Sequence, residues 1–153
     1  MFKYVATSLQ DTARLGAAIA KTIRQNRVFL LYGGLGFGKT TLVQAVAREM
    51  GIKDKVQSPT FNILKTYHHG AYHLCHIDAY RLEDHEEDLG FAEIVEKNTT
   101  FVEWPEFLKM NEVDQNLIVT IKINKIGEVR EFLVDSLDQD FLKELEQNVH
   151  ALS

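Results

Sequence analysis

The chain has 153 residues, 45% of them hydrophobic and 25% charged, which suits one globular domain over residues 1–153 and excludes a disordered chain, a collagen and a coiled coil. Lys and Arg together number 17 and Asp and Glu 22, and the net charge of −5 argues against a dedicated DNA or RNA binder. The longest apolar run, Val28–Tyr32, is far shorter than the ~20 residues that cross a bilayer. A single cysteine, Cys75, excludes an intramolecular disulfide. We therefore expect a cytoplasmic protein.

The first fifty residues predict a strand, a helix, a second strand, a glycine-rich turn and a second helix. Ser8 and Asp11 fit a capping box, in which the two side chains bond to free amides at a helix start. The apolar run before the glycines is short and continuous, as in a strand buried on both faces. The expected elements are the strand Phe2–Thr7, the helix Leu9–Gln25, the strand Arg27–Tyr32, the turn Gly33–Gly38 and the helix Lys39–Met50.

The remainder of the chain predicts two hairpins, another strand and three helices. The expected elements are a hairpin of Phe61–Tyr67 and Tyr72–Asp78, short helices at Glu83–Asp88 and Phe91–Lys97, a strand at Thr100–Glu103, a hairpin of Leu117–Ile123 and Val129–Asp135 around Gly127, and a helix at Phe141–Val149. Strand, glycine-rich turn and helix followed by more strands indicate an α/β fold. We therefore expect one domain with a mixed central sheet flanked by helices.

The segment Gly33–Thr40 matches G-x-x-x-x-G-K-[ST], the pattern of a phosphate-binding loop. Glycines permit the dihedral angles that let consecutive amides surround a phosphate, and the following helix directs its positive end at the same place. The Lys39 ammonium would reach the β and γ oxygens, and the Thr40 hydroxyl would bind Mg²⁺. Thr41 would bond near the α-phosphate. The pattern predicts nucleotide binding by these three residues and by the loop of Leu35, Gly36, Phe37 and Gly38. The expected fold is therefore a single P-loop NTPase-like domain.

A phosphate-binding loop also needs a carboxylate on the metal side, usually at the end of a neighbouring strand. Asp78 and Glu103 each end an apolar run, and both would lie at the carboxyl edge of the sheet. Sequence spacing does not separate their roles. The segment Ser58-Pro59-Thr60 would be a switch whose hydroxyls reach the γ-phosphate or the attacking water, or else a plain turn.

Other residue types of chemical interest favour structural roles. The histidines near the first hairpin suggest zinc, but His73 and His76 fall on opposite faces of a strand, which disfavours a shared metal. Cys75 is expected to be a small core residue. Trp104 directly follows Glu103 and would either close over the nucleotide or pack in the core. The histidines concerned are His68, His69, His73 and His76.

Taken together, the motifs give the chain a resemblance to the TsaE (YjeE) family of small bacterial P-loop ATPases, which support threonylcarbamoyladenosine (t6A) synthesis on tRNA. The resemblance covers essentially the whole chain. Its motifs are, in family order, Gly33-Gly34-Leu35-Gly36-Phe37-Gly38-Lys39-Thr40-Thr41, Ser58-Pro59-Thr60-Phe61, His76-Ile77-Asp78-Ala79-Tyr80-Arg81-Leu82 and Val102-Glu103-Trp104.

The resemblance implies a role for each matching residue. Lys39 and the loop amides would hold the phosphates of ATP, while Thr40 and Glu103 would bind Mg²⁺. Asp78 would be the Walker-B-type acid, acting on the metal's water shell or on the attacking water. The family's other site positions fall on Ser58 and Thr60 (the switch-like loop), Trp104 and Arg130 (near the nucleotide), and Tyr80 and Arg81 (a structural or partner-facing role).

The family's role also implies partners. The proteins TsaD and TsaB carry out the carbamoyl transfer to adenosine 37 of tRNAs that read codons beginning with A. A member of this family supports them as a Mg²⁺-dependent ATPase that is slow alone and activated by its partners. Contact with tRNA would be indirect, through the complex. Two positions depart from the family's pattern, since Gly34 stands where an acidic residue is usual and Phe37 where a small one is. Neither departure removes a phosphate ligand, but both bear on turnover.

Three other functions stay open on the sequence. A small-molecule P-loop kinase would need more arginines and a lid than this chain has. A GTPase would need an aspartate at the end of Asn124-Lys125-Ile126-Gly127, where Gly127 stands. A nucleotide-gated adaptor with negligible turnover would lack the metal-side acid, whereas Asp78 and Glu103 are both present.

Overall fold

The computed structural model describes residues 1–59, 63–82, 90–108, 110 and 113–152, with the backbone alone for Arg81. The described strands and α-helices are, in chain order, β1 (Phe2–Ala6), α1 (Leu9–Thr22), β2 (Val28–Tyr32), α2 (Lys39–Glu49), β3 (Leu64–His69), β4 (Tyr72–Asp78), α3 (Phe91–Lys97), β5 (Thr99–Glu103), β6 (Ile118–Ile126), β7 (Val129–Ser136) and α4 (Gln139–Ala151). No helix in these ranges is long and apolar enough to cross a membrane.

Seven strands form one sheet in the order β1-β7-β6-β2-β5-β4-β3. The four central strands, β6, β2, β5 and β4, run parallel, whereas β1, β7 and β3 join by antiparallel pairing. This confirms the predicted mixed sheet. Because β2, β5 and β4 are parallel neighbours, their carboxyl ends meet at one edge, where α/β folds bind ligands.

Both faces of the sheet are covered, which explains the apolar run of β2. Phe29 and Leu31 belong to the larger core cluster, shared with α1, α2 and α4. Val28 and Leu30 belong to a second cluster on the opposite face, which includes residues of α3. Alternate residues of a strand point to opposite faces, so a strand buried on both sides loses the alternation of polar and apolar residues.

The loop-bearing helix α2 packs unusually close to α1. A Cβ atom added to Gly16 in α1 would lie 2.4 Å from the Cβ atom of Ala45 in α2, so the contact needs the missing side chain. Ser8 caps the start of α1, because its hydroxyl accepts a hydrogen bond from the Asp11 amide. The tight contact fixes where α2, and with it the phosphate-binding loop, stands against the core.

Several element boundaries differ from the predictions. The α1 helix ends at Thr22, three residues earlier than expected; the Thr22 hydroxyl bonds to the Ala18 carbonyl and accepts from Asn148 of α4. The Asp11 carboxylate accepts from Thr7, the residue before the expected cap partner. At the end of α1, the tertiary contact between Thr22 and Asn148 overrides the local helix signal.

The first hairpin is also tighter than predicted. β3 runs on through His68 and His69, because His69 pairs with Tyr72 and leaves only two residues for the turn. The second hairpin likewise pairs Ile126 with Val129 around a two-residue turn. The predicted strand start at Phe61 and the predicted helix Glu83–Asp88 lie outside the described residues.

Candidate nucleotide-binding site

The predicted phosphate-binding loop connects the end of β2 to the start of α2. Gly36 and Gly38 have φ angles of +73° and +103°, a region that side chains disfavour, which is why glycine stands at both. Gly33 packs against β6, since a Cβ atom there would lie 3.2 Å from the Ile123 carbonyl oxygen. The loop therefore leads straight into a helix N-terminus at the ligand-binding edge of the sheet.

Lys39, the first residue of α2, lies buried inside this loop. Its Nζ atom donates to the Gly33 carbonyl oxygen at 2.5 Å, and it lies 3.8 Å from the centre of the Trp104 ring. Burial lowers the pKa of this ammonium, while the nearby carboxylates of Glu103, Asp78 and Glu106 act in the opposite direction. The site thus holds one buried cation among several acidic groups.

Thr40 and Glu103 meet directly across the site. The Thr40 hydroxyl donates to Oε2 of Glu103 at 2.8 Å, although the two residues are 63 positions apart in the chain. Glu103 is the last residue of β5 and is only 4% exposed. Hydroxyl and carboxylate oxygens are hard ligands of the kind that Mg²⁺ takes together with phosphate oxygens. The pair thus fits a magnesium ion bound with a nucleotide.

Asp78 ends β4 and pairs in register with Glu103 on the neighbouring strand. Its two carboxylate oxygens face different groups. Oδ2 accepts from the Ser58 hydroxyl at 2.9 Å, and Oδ1 accepts from the Tyr80 amide at 3.1 Å. The structure therefore separates two acids that the sequence left equivalent: Glu103 bonds to the loop helix, and Asp78 bonds to the segment predicted as a switch.

Trp104 follows Glu103 with φ at +57°, the one described residue other than glycine with a positive φ. This backbone turns the indole onto Lys39 and against two further aromatic rings. The ring of Tyr80 lies 5.2 Å away and that of Phe107 lies 6.4 Å away, centre to centre. Trp104 is half-buried, so it neither lies wholly in the core nor stands free in solvent.

The remaining predicted residues surround the loop to different degrees. Arg130 approaches it, with Nε 4.0 Å from the position of a Cβ atom on Gly38. Phe37 packs on the larger core cluster, Thr41 is half-buried on α2, and Leu35 is 83% exposed at the loop tip. Thr60 and the side chain of Arg81 lie outside the described residues.

The histidines near the first hairpin do not form one group. His68 and His73 are cross-strand partners on the exposed hairpin, with their Nδ1 atoms 2.7 Å apart, whereas His76 is fully buried. The described part of the chain contains no cluster of three or more His, Cys, Asp or Glu side chains suited to a metal ion. Cys75 is buried, as expected, and burial raises its pKa to about 12.

Sequence reasoning missed one contact at the site. The Nε2 atom of His76 lies 2.5 Å from Oε2 of Glu103, the same oxygen that Thr40 reaches. The alternation of β4 could have revealed it, since His76 and Asp78 are two residues apart and share a face. The sequence could not show which residue of β5 lies beside His76 and Asp78.

The family model described as "Threonylcarbamoyl adenosine biosynthesis protein TsaE" matches residues 6–132, which include the loop, Asp78 and Glu103. The chain belongs to the TsaE family. The match extends from the end of β1 into β7 and so includes Arg130.

Curated relatives of the TsaE family agree. A protein of Bacillus subtilis named "tRNA threonylcarbamoyladenosine biosynthesis protein TsaE" is 40% identical over 111 residues, which cover 72% of this chain and 68% of that protein. A Treponema pallidum protein of the same name is 34% identical over 122 residues, covering 78% and 90%.

Among solved structures, the one titled "Crystal structure of Bacillus subtilus YdiB" superimposes with a TM-score of 0.80. The superposition covers 99% of this chain and 96% of the other, at 25% sequence identity. The resemblance inferred from the motifs is thus confirmed for family and fold.

Proposed function

We propose that this chain binds and hydrolyses ATP with Mg²⁺ and thereby supports the TsaD–TsaB complex in t6A modification of tRNAs that read codons beginning with A. The observation that carries the proposal is the bond between Thr40 and Glu103. It joins the helix after the phosphate-binding loop to the acidic end of β5, the strand beside β2 in the sheet. A metal-bound nucleotide needs this arrangement.

The proposed mechanism assigns each described residue a task. The loop amides and Lys39 bind the β- and γ-phosphates, the ammonium exchanging its present bonds to loop carbonyls for phosphate oxygens. Thr40 and Glu103 hold Mg²⁺, which when bound neutralises charge on the phosphates. Arg130 stands close enough to the loop to add a second positive charge.

Asp78 is the proposed acid of the hydrolytic step. Its carboxylate orients the attacking water, and Ser58 and the Tyr80 amide hold that carboxylate in place. Trp104 covers Lys39 and shields the site from solvent, which strengthens the interaction of the ammonium with phosphate. Thr60 is proposed to act in the same switch segment as Ser58.

The role in t6A synthesis is supported by the family and by the names of the relatives. The net charge of −5 suits a subunit that binds other proteins and reaches tRNA only through them. We propose the cytoplasm as its location because tRNA modification takes place there.

Steady-state ATP hydrolysis tests the proposal, measured with the chain alone and with added TsaD and TsaB. We expect slow turnover alone, clear stimulation by the partners, and loss of both in Lys39→Ala. Bound ATP without turnover in any mixture would contradict the ATPase and leave a nucleotide-gated adaptor. Phosphate transfer to a nucleoside monophosphate would indicate a kinase instead.

A further inference from the structure

His76 is a fully buried polar side chain on β4, the strand next to the edge strand β3. It lies between Leu74 and Asp78 on the same face. A buried imidazole costs free energy unless its nitrogens are hydrogen-bonded. Its Nε2 atom bonds to Glu103, while its Nδ1 atom has no hydrogen-bond partner among the described residues.

The direction of this bond follows from the chemistry of the acceptor. An ionised carboxylate only accepts hydrogen bonds, so the Nε2 atom of His76 must carry the hydrogen and donate it. An apolar ring of similar size would fill the same space without leaving Nδ1 unsatisfied. The imidazole at this position is therefore best explained by the donor that it presents to Glu103.

Two donors converge on one oxygen of Glu103. The Thr40 hydroxyl approaches Oε2 from α2, and His76 approaches it from β4. Two bonds from different elements restrict the position of this oxygen, and with it the rotamer of the side chain, more tightly than either bond alone. Partners of this kind orient metal ligands and commonly affect metal affinity 10–100-fold.

We propose that His76 is a positioning residue: its Nε2–H holds the Glu103 carboxylate in the orientation that binds Mg²⁺. The inference rests on the proposed function, in which Glu103 is a metal ligand. It assigns His76 no proton transfer and no contact with the nucleotide. It predicts that losing the donor weakens metal binding and leaves the affinity for metal-free nucleotide intact.

Two amide variants provide a matched test. In His76→Gln the amide N–H reaches about as far as Nε2, whereas in His76→Asn it stops short near the position of Nδ1. Both bury a polar group of the same chemistry, so they differ chiefly in reach. A third variant, His76→Phe, fills the space without a donor, and Leu74→Val alters the same strand face without touching Glu103.

The measurement is Mn²⁺ binding to the complex of the full chain with ADP, followed by electron paramagnetic resonance, together with ADP affinity in EDTA. We expect His76→Asn and His76→Phe to bind Mn²⁺ about 10–100-fold more weakly. His76→Gln and Leu74→Val should stay within about threefold of the unsubstituted chain, and all should bind ADP equally in EDTA.

The outcomes separate the two proposals. If the unsubstituted chain binds Mn²⁺ with ADP and His76→Asn and His76→Phe bind it equally well, the positioning role is overturned while the proposed function stands. If the unsubstituted chain itself fails to bind Mn²⁺ with ADP, the proposed function is overturned and this inference with it. An equal loss of Mn²⁺ affinity in Leu74→Val would mean that any disturbance of β4 has this effect, which would also contradict the positioning role.

Discussion

The two unusual residues of the phosphate-binding loop, Gly34 and Phe37, are physically coupled. A Cβ atom on Gly34 would lie 3.1 Å from two carbon atoms of the Phe37 ring, which is tighter than an ordinary contact. The Phe37 amide also donates to the Gly34 carbonyl oxygen, so the two residues form one turn. A side chain at position 34 therefore requires room that the Phe37 ring occupies.

This coupling predicts opposite effects of one substitution in two backgrounds. Gly34→Ala should lower the free energy of unfolding by about 1 kcal/mol in the native background, because the added methyl group presses on the ring. In the Phe37→Ala background it should be neutral or raise that free energy by up to ~1 kcal/mol, because alanine restricts the unfolded chain. Urea unfolding of the four proteins measures the coupling, and equal effects in both backgrounds would disprove it.

The sequence predicts the place of the loop well, and it predicts the partners of the loop's residues poorly. Gly33–Thr41 is contiguous, so its pattern contains the geometry of the turn and the helix start. The bonds of Glu103 to Thr40 and to His76 depend on which strands are neighbours and in which register. Those facts arise from tertiary pairing, which no local pattern encodes.

At the scale of the element, the start of α4 is held by one side chain with two roles. The Asp138 carboxylate accepts from the Phe141 amide at 3.0 Å, which caps the helix, and from Nη2 of Arg27 at 2.7 Å. Arg27 is only 6% exposed and lies over the Phe141 ring. The cap of α4 is therefore also the counter-ion of a buried guanidinium beside β2.

Two substitutions separate these roles. Asp138→Ala removes both the cap and the counter-ion, and we expect a loss of about 2–4 kcal/mol in the free energy of unfolding. Asp138→Asn keeps a good cap and loses only the charge, so its cost should be smaller by about the 1 kcal/mol that a cap contributes. Thermal or urea unfolding at neutral pH measures both; equal costs would contradict the capping role of Asp138, whereas no cost in Asp138→Asn would contradict the account of the ion pair.

The same carboxylate predicts a pH dependence. The hydrogen bond from the Phe141 amide, followed by that from Arg27, lowers the pKa of Asp138. A lowered pKa in the folded state means stability that is present above the unfolded pKa and lost as the pH falls through the folded one. The difference in free energy of unfolding between the native chain and Asp138→Asn should thus shrink below about pH 4. A difference that stays constant down to pH 2 would contradict this prediction.

Element types are predicted more reliably than element ends. The continuous apolar run of β2 and the alternation of β6 and β7 are local signals, and these strands occur where expected. The end of α1 is not a local property, because Thr22 bonds to Asn148 at the far end of the chain. The extent of β3 likewise depends on its pairing with β4.

At the scale of the whole molecule, the parallel core of the sheet creates the site. β2, β5 and β4 are neighbours, although β3 and β4 precede β5 in the chain. This order places the loop, Glu103 and Asp78 side by side at one edge. The sequence predicts a mixed sheet but not this order, because helix-connected strands carry no local sign of their neighbours.

The central claim is that this edge binds a nucleotide together with Mg²⁺ through Lys39, Thr40 and Glu103. Calorimetric titration with a non-hydrolysable ATP analogue, in Mg²⁺ and in EDTA, tests it most directly. We expect Lys39→Ala to lose about 10–100-fold in affinity under both conditions, as for a charged hydrogen bond. Glu103→Gln should match the unsubstituted chain in EDTA and lose only the gain that Mg²⁺ provides. Full retention of that gain in Glu103→Gln, or no binding by the unsubstituted chain, would contradict the claim.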